Sequence, residues 1–308
     1  MPTDLERYIQ RARIHDTHEH MRKEHEVLAE KPDVLCELFQ NYVPADLRVA
    51  GASDEAVKAL LDANNPDSAA RFAGIAKAWE SVQFTGYGEA VRFIAERFFG
   101  LGRLDGKTLA AAQGRLPKQW PAGERLRILR DEGGYDHIQT DDFCWPCLPD
   151  ASGPDFFFYD LSWANFCHGD LKPRSDSKEG REPKLEALFK ETGIDAKDLE
   201  TLREAMAKLF EKYAPCAVAV KAQHAYNRTL LWRERGDADA AQALEEIMRD
   251  PQAASEEARL CLGDWGWARG VELAIQHNLP FKIHTGYYAG HGNMPVERIR
   301  AGHLCALL

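Results

Sequence analysis

Short apolar segments alternate with long amphipathic stretches over most of this chain, and that alternation constrains the fold more than any other feature. Strand-like segments fall at Ala12 to Thr17, Asp136 to Thr140, Phe156 to Leu161, Cys216 to Ala222 and Phe281 to Thr285. The clearest helical pattern is Thr201 to Tyr213, where Leu202, Ala205, Met206, Leu209, Phe210 and Tyr213 recur at helical spacing before Ala214-Pro215 stops the run. Helices are also expected over residues 1 to 11, Gly123 to Gly133, Glu256 to Gln276 and Val296 to Leu308. Strands separated by helices need crossover connections, so the pattern predicts a parallel sheet or barrel.

From Lys31 to about Trp120 the periodicity is helical throughout, with Val34, Leu35, Leu38 and Phe39, and later Val91, Ile94, Ala95 and Phe98, on helical faces. That is more helix than one crossover uses. We read it as a helical insertion, about residues 21–120, carried by a single domain spanning 1–308. Closing a parallel barrel takes about eight strands. Five are legible, so an open sheet or the front of a barrel is expected, with its C-terminal part absent. The strand Phe281 to Thr285 should then be a bare edge, and Leu304, Leu307 and Leu308 should lie uncovered. Such surfaces leave room for a homo-oligomer.

Charge narrows the function classes. Lys+Arg 39 against Asp+Glu 49 gives a net charge of −10, with the signs interspersed, which disfavours nucleic acid and anionic membranes as partners. No apolar run approaches the ~20 residues that a membrane helix needs. The first residues, MPTDLERYIQRARIHD, lack the apolar core and cleavage site of a secretory signal, so a cytoplasmic protein with a small-molecule substrate is expected. Seven cysteines, an odd number scattered over the chain, are expected to be reduced. Cys144 and Cys147 form a C-x-x-C with no second such pair, which reads as structural.

Three sites carry chemistry. In Ile14-His15-Asp16-Thr17-His18-Glu19-His20, an extended backbone puts His18 and His20 on one side, where both can reach one cation; imidazole suits zinc and other first-row divalent ions. In Pro280-Phe281-Lys282-Ile283-His284-Thr285-Gly286, a histidine ends a short apolar strand. Parallel strands gather their carboxyl ends at one face, which would bring His284 beside His18 and His20. In Val218-Ala219-Val220-Lys221-Ala222-Gln223-His224-Ala225-Tyr226-Asn227-Arg228, Lys221 interrupts an apolar strand. A buried lysine is costly without a partner, which points to a metal-bridging carbamate, a Schiff base or an anchor for an anionic substrate; snorkelling at the sheet end is the plain alternative. His168, His224 and His291 are further candidates for the rim of such a site.

Asp16-Thr17-His18-Glu19-His20, Lys221 followed by Ala225-Tyr226, and Pro280 to Gly286 together resemble the amidohydrolase superfamily, in its amidohydrolase-related, uronate isomerase-like branch. The resemblance implies a distorted (β/α)8 TIM barrel of the metal-dependent hydrolase type, here about five of eight strands, with a divalent metal ion, zinc by expectation, at the strand ends. Lys221 falls on the fourth strand and His284 on the fifth, where this superfamily places its lysine and its next histidine. Asp33 to Phe39, Asp46-Leu47-Arg48, Trp79 to Val82 and Gly86 to Ala90 resemble, in layout, the helical insertion that uronate isomerases carry after their first strand. The family's eighth-strand aspartate would lie beyond Leu308.

The resemblance implies a metal-dependent hydrolase. His18, His20 and His284 would hold the metal, an activated water would attack, and Lys221 would act on a small carboxylate-bearing substrate. Arg48, Tyr226, Arg228 and His291 would line the substrate. The alternatives are a uronate isomerase-like aldose-ketose isomerase and a catalytically silent truncated relative that acts as a binding module.

Overall fold

A computed structural model of the chain describes residues 3–141, 143, 145–169, 171, 185–286 and 295–308. It divides into two compact units: Met1–Glu24 with Arg125–Tyr287 and Met294–Leu308, and His25–Glu124 with Tyr288–Asn293.

The first unit is an α/β unit. Its sheet has five strands in the order β1 (Ile14–Glu19), β2 (Tyr135–Thr140), β3 (Phe157–Ser162), β4 (Ala217–Ala222) and β5 (Phe281–Ile283). Every neighbouring pair is parallel. Strand order therefore follows chain order, as successive crossovers in a barrel require. On one face Ile138, Phe157, Tyr159, Leu161, Val220 and Ala222 are buried in the main hydrophobic core. The opposite face carries Gln139, Asp160, Ser162, Lys221 and Lys282, a polar set for a strand interior.

That polar face is concave. Lys282 Nζ, on β5, lies 2.5 Å from Asp160 Oδ2 on β3 and donates to Gln139 Oε1 on β2 at 3.2 Å. It also donates to the Thr17 carbonyl on β1 at 2.9 Å. In a flat sheet, four strand spacings of ~4.8 Å would separate β5 from β1 by about 19 Å, far beyond a lysine's reach. The five strands thus form a curled parallel half-barrel.

Helices cover the convex face. The longest are α2 (Leu199–Tyr213), α3 (Asp237–Arg249) and α4 (Glu256–Gln276); the short α1 (Asp4–Arg11), ahead of β1, buries none of its residues. Asp198 caps α2 by accepting from Thr201 N at 2.9 Å while Thr201 Oγ1 accepts from Asp198 N, a reciprocal cap. Its buried face is the one the spacing predicts, from Leu202 to Tyr213. Helix α4 approaches the segment after β3 through its glycines: Trp163 Nε1 donates to Gly266 O at 2.9 Å, and a Cβ built on Gly270 would stand 2.1 Å from that same nitrogen.

The helical unit packs helices such as Val34–Phe39, Val43–Val49, Ser68–Ala73, Ala76–Val82 and Gly86–Phe99 around Leu35, Phe39, Leu47, Leu60, Ile75 and Trp79. Gly100, with φ +66°, ends the longest of them in the left-handed conformation that glycine takes without strain. Within the core a bidentate ion pair joins Arg71 and Asp33, at 2.7 and 2.9 Å. Arg71 also donates to the Leu60 carbonyl at 2.7 Å, and Asp33 accepts from Leu35 N and Cys36 N at the start of its helix. Both charges are thereby satisfied by hydrogen bonds, which a buried pair requires.

Several sequence expectations change. The first strand runs Ile14–Glu19, later than read, and α3 is an element that the sequence reading left unassigned. Instead of one final helix, residues 295–308 hold two short 3₁₀ turns, Val296–Ile299 and Ala301–Leu304. Leu304 is buried in the main core and Leu307 packs against it, so of the three terminal leucines only Leu308 is largely uncovered. The Gly123 to Gly133 helix is three α-helical residues continued by a wider π-type turn, Arg127–Glu132.

Two substitutions test this packing. Gly270→Ala gains about 1 kcal/mol of helix propensity, but its methyl must displace fully buried Trp163 from its hydrogen bond. Overpacking of ~1–3 kcal/mol plus a lost hydrogen bond of about 1 kcal/mol outweigh that gain. Net destabilisation is expected in chemical denaturation, and a neutral or stabilised variant would contradict the close approach. Lys282→Met strands the Asp160 carboxylate, whose side chain is 0% exposed, and should cost on the order of 3 kcal/mol. Adding Asp160→Asn should recover most of it, and additive losses in the double variant would mean that the two groups do not act as a pair.

Candidate active site

β1 is not a regular strand. Between Asp16 and Glu19 it takes three steps while β2 takes two, so it carries one extra residue. The cause is local: Asp16 Oδ1 accepts from His18 N at 3.1 Å and turns the chain there. Asp16 and Glu19 both pair with residues of the convex face, Ile138 and Thr140. His18 and His20, one residue to either side of Glu19, accordingly address the concave face.

There they meet the other predicted residues. The ring centroid of His18 is 5.3 Å from that of His20 and 5.2 Å from that of His284. Lys221 Nζ lies 3.0 Å from His18 Nδ1. Tyr226, on the short turn after β4, places its hydroxyl 2.9 Å from His284 Nε2. His284 is held in line with β4 because its backbone N donates to Ala222 O at 2.9 Å. His18, His20, His284, Lys221 and Tyr226 are thus brought together, from positions more than 200 residues apart in the chain.

Supporting contacts fix the rings. His20 Nδ1 lies 2.7 Å from the Asp141 carbonyl, which can only accept, so Nδ1 carries a proton. Phe143 stacks on His20, with centroids 4.6 Å apart and planes 17° off parallel. Its backbone has φ +54°, an uncommon conformation for a phenylalanine, with its N donating to Asp141 Oδ1 at 2.9 Å. Gln223 donates to the other oxygen of Asp141 at 2.6 Å.

The cluster is electropositive and partly desolvated, and its proton affinities follow. Lys221, 2% exposed, is lowered to about 8 by burial and then by the charge of Lys282. Lost solvation, then the charge of Lys221, brings His18 down to about 4. Burial, followed by Lys221, lowers His284 as well. Asp160 moves the other way: burial raises it to about 6 despite the Lys282 ammonium beside it. His18 and His284 are consequently neutral at pH 7, the form in which imidazole donates to a cation.

Other candidates lie elsewhere. Arg228 turns away into the helices: its guanidinium is buried 2.5 Å from Asp264 and donates to the Cys167 carbonyl at 2.9 Å. Arg48 belongs to the helical unit, where its Nε donates to Asp54 at 2.6 Å. His224 is fully buried against Trp267, with His168 the next ring, 6.2 Å away. His291 and Cys144 lie outside the described residues; Cys147 is buried with its Sγ toward the Tyr213 carbonyl. The sequence reading passed over Lys282, Asp160, Asp141 and Gln223. Lys282 and Asp160 carry the signal used for Lys221, a charge inside an apolar strand.

No protein-family model matches the sequence, and no curated protein matches it. Among the solved structures that share the fold are two isomerases. The uronate isomerase of Thermotoga maritima is similar with a TM-score of 0.68 at 15% identity, over 88% of this chain and 59% of that one. The glucuronate isomerase of Caulobacter crescentus gives a TM-score of 0.63 at 12% identity, over 88% of this chain and 57% of that one. The chain therefore spans less than two thirds of the length of either. Both structures are of isomerases, which overturns the expectation of a metal-dependent hydrolase. The likeness is consistent with the amidohydrolase-like resemblance in the sequence, through its uronate isomerase branch.

Proposed function

We propose that this chain carries part of an aldose-ketose isomerase site for an open-chain sugar acid, with a divalent metal ion as cofactor. The observation that carries the reading is the meeting of His18, His20 and His284 with Lys221 and Tyr226 at the carboxyl ends of β1, β4 and β5. The fold on which they meet is shared with a uronate isomerase and a glucuronate isomerase.

Three imidazoles on one concave face suit a first-row divalent ion in donor chemistry, and His20, with Nδ1 directed at a carbonyl, would offer Nε2. His18, His20 and His284 would hold that ion, zinc being the natural representative. Once bound, it supplies Lewis acidity to a carbonyl or hydroxyl oxygen.

The reaction moves one proton from a hydroxyl-bearing carbon to the adjacent carbonyl carbon and another between their oxygens, so atoms balance without a redox partner. Lys221 is the residue we assign to the substrate carboxylate. Its ammonium sits among neutral rings at reduced proton affinity, and an arriving anion would restore its charge. The Tyr226 hydroxyl is assigned to a substrate hydroxyl beside His284. Asp141 is a positioning residue, acting through His20 and Phe143.

The test is an assay of hexuronates, glucuronate first, with the full chain stripped by chelator and reloaded with zinc or manganese. Ketose product that depends on the metal is expected. Lys221→Met should lower kcat/KM by about a hundredfold or more while metal content is retained. Metal binding without turnover would identify a silent relative, and undiminished turnover in the variant would remove Lys221 from the chemistry.

A further inference from the structure

A second group of ligand atoms lies at the other end of the sheet, where β1 and β2 begin. His15 Nδ1 is 3.3 Å from His137 Nδ1 and 3.5 Å from Asp136 Oδ2, and Asp136 Oδ2 is 3.1 Å from His137 Nδ1. The three donor atoms thus face one another in a nearly equilateral triangle, and among the described residues they form a trio with every pair within 4.8 Å. We propose that His15, Asp136 and His137 form a second divalent-cation site, of zinc-type chemistry, separate from the cluster at the carboxyl ends of the strands.

Geometry carries the inference. Two donors at 2.0–2.1 Å from a tetrahedral zinc stand roughly 3.3–3.4 Å apart, and the three observed separations bracket that value. A triangle of this side has its corners roughly 1.9 Å from its centre, so an ion at ~2.0–2.1 Å would sit just off the plane. The fourth position would then be left to water, since the side chains of His15 and Asp136 are 60% and 48% exposed.

The backbone is built for it. Consecutive residues of a strand point to opposite faces, which would separate Asp136 from His137. Here Ile14 pairs with Tyr135 and His15 with His137, so β2 spends an extra residue at Asp136, an irregularity that is rare in parallel pairs. It lets the carboxylate and the imidazole of neighbouring residues address one point, opposite His15 on the adjoining strand. Hydrogen bonding alone leaves one side of the triangle unfavourable: a proton on one Nδ1 turns the other ring's lone pair toward the Asp136 carboxylate, and protons on both set two N–H groups against each other.

Two imidazoles and one carboxylate are the donors of borderline ions such as zinc, cobalt and nickel, and fit calcium and magnesium poorly. Bound there, the ion would join the edge strand β1 to β2, two strands separated in sequence by the helical unit. The proposal does not depend on the isomerase reading. Its test is equilibrium dialysis of the full chain with zinc, in parallel with the variants His15→Ala/His137→Ala and His18→Ala/His20→Ala. The first variant should take up one equivalent less than the parent, and the second should keep that equivalent. Asp136→Asn, the milder change, should weaken it about tenfold or more, and zinc should raise Tm in the His18→Ala/His20→Ala background. Equal zinc uptake by the parent and His15→Ala/His137→Ala, or no loss of affinity in Asp136→Asn, would overturn the site.

Discussion

Lys282 links four strands with one ammonium. It sits on β5, pairs with Asp160 of β3, and donates to Gln139 of β2 and to the Thr17 carbonyl of β1. A charge in a strand interior must be met by partners, and these partners exist only if the sheet bends far enough to bring its first and fifth strands together. Curl and charge therefore require each other. The same bend makes the concave face narrow enough for His18 and His284, at the two ends of the strand order, to come within 5.2 Å.

Charge along that face is arranged with some economy. Lys221 and Lys282 lie side by side on paired residues of β4 and β5, and burial first, then the Lys282 charge, loosens the proton of Lys221. Lys282 keeps Asp160. Burial, and then the charge of Lys221, keeps His18 and His284 neutral. A concave face with one paired cation and one labile cation beside its imidazoles is chemically open toward anions, whereas the other face is packed into the core.

Much of this was legible in the sequence because two periodicities dominate it. The 3.6-residue spacing located α2 and its buried side from Leu202 to Tyr213, apolar runs located β3, β4 and β5, and short extended stretches marked β1 and β2. Parallel topology then followed, and with it the gathering of His18, His20, Lys221 and His284 at one end. The failures share a cause: periodicity does not report where a chain turns. Leu304 and Leu307 are spaced as a helix would space them, yet 3₁₀ turns fold Leu304 back into the core. Arg228 follows a strand end, as Tyr226 does, but points into the helices, and only the packing of Asp264 on α4 decides that. Asp160 and Lys282 were visible as charges in apolar strands; what the sequence could not reveal is that they belong to each other.

The extra residue in β1 sets the phase of everything that strand presents. His15 and His18 are three positions apart, a spacing that a regular strand would divide between its two sides. Because Asp16 folds its side chain onto His18 N and the strand slips by one, both histidines lie on the concave side, at opposite ends of the strand. Losing one residue between them would leave the hydrophobic pattern of the chain almost untouched, yet it would turn one end of the strand inside out. The six-residue strand is therefore a reading frame, in which length matters as much as composition, and Asp16 is its punctuation.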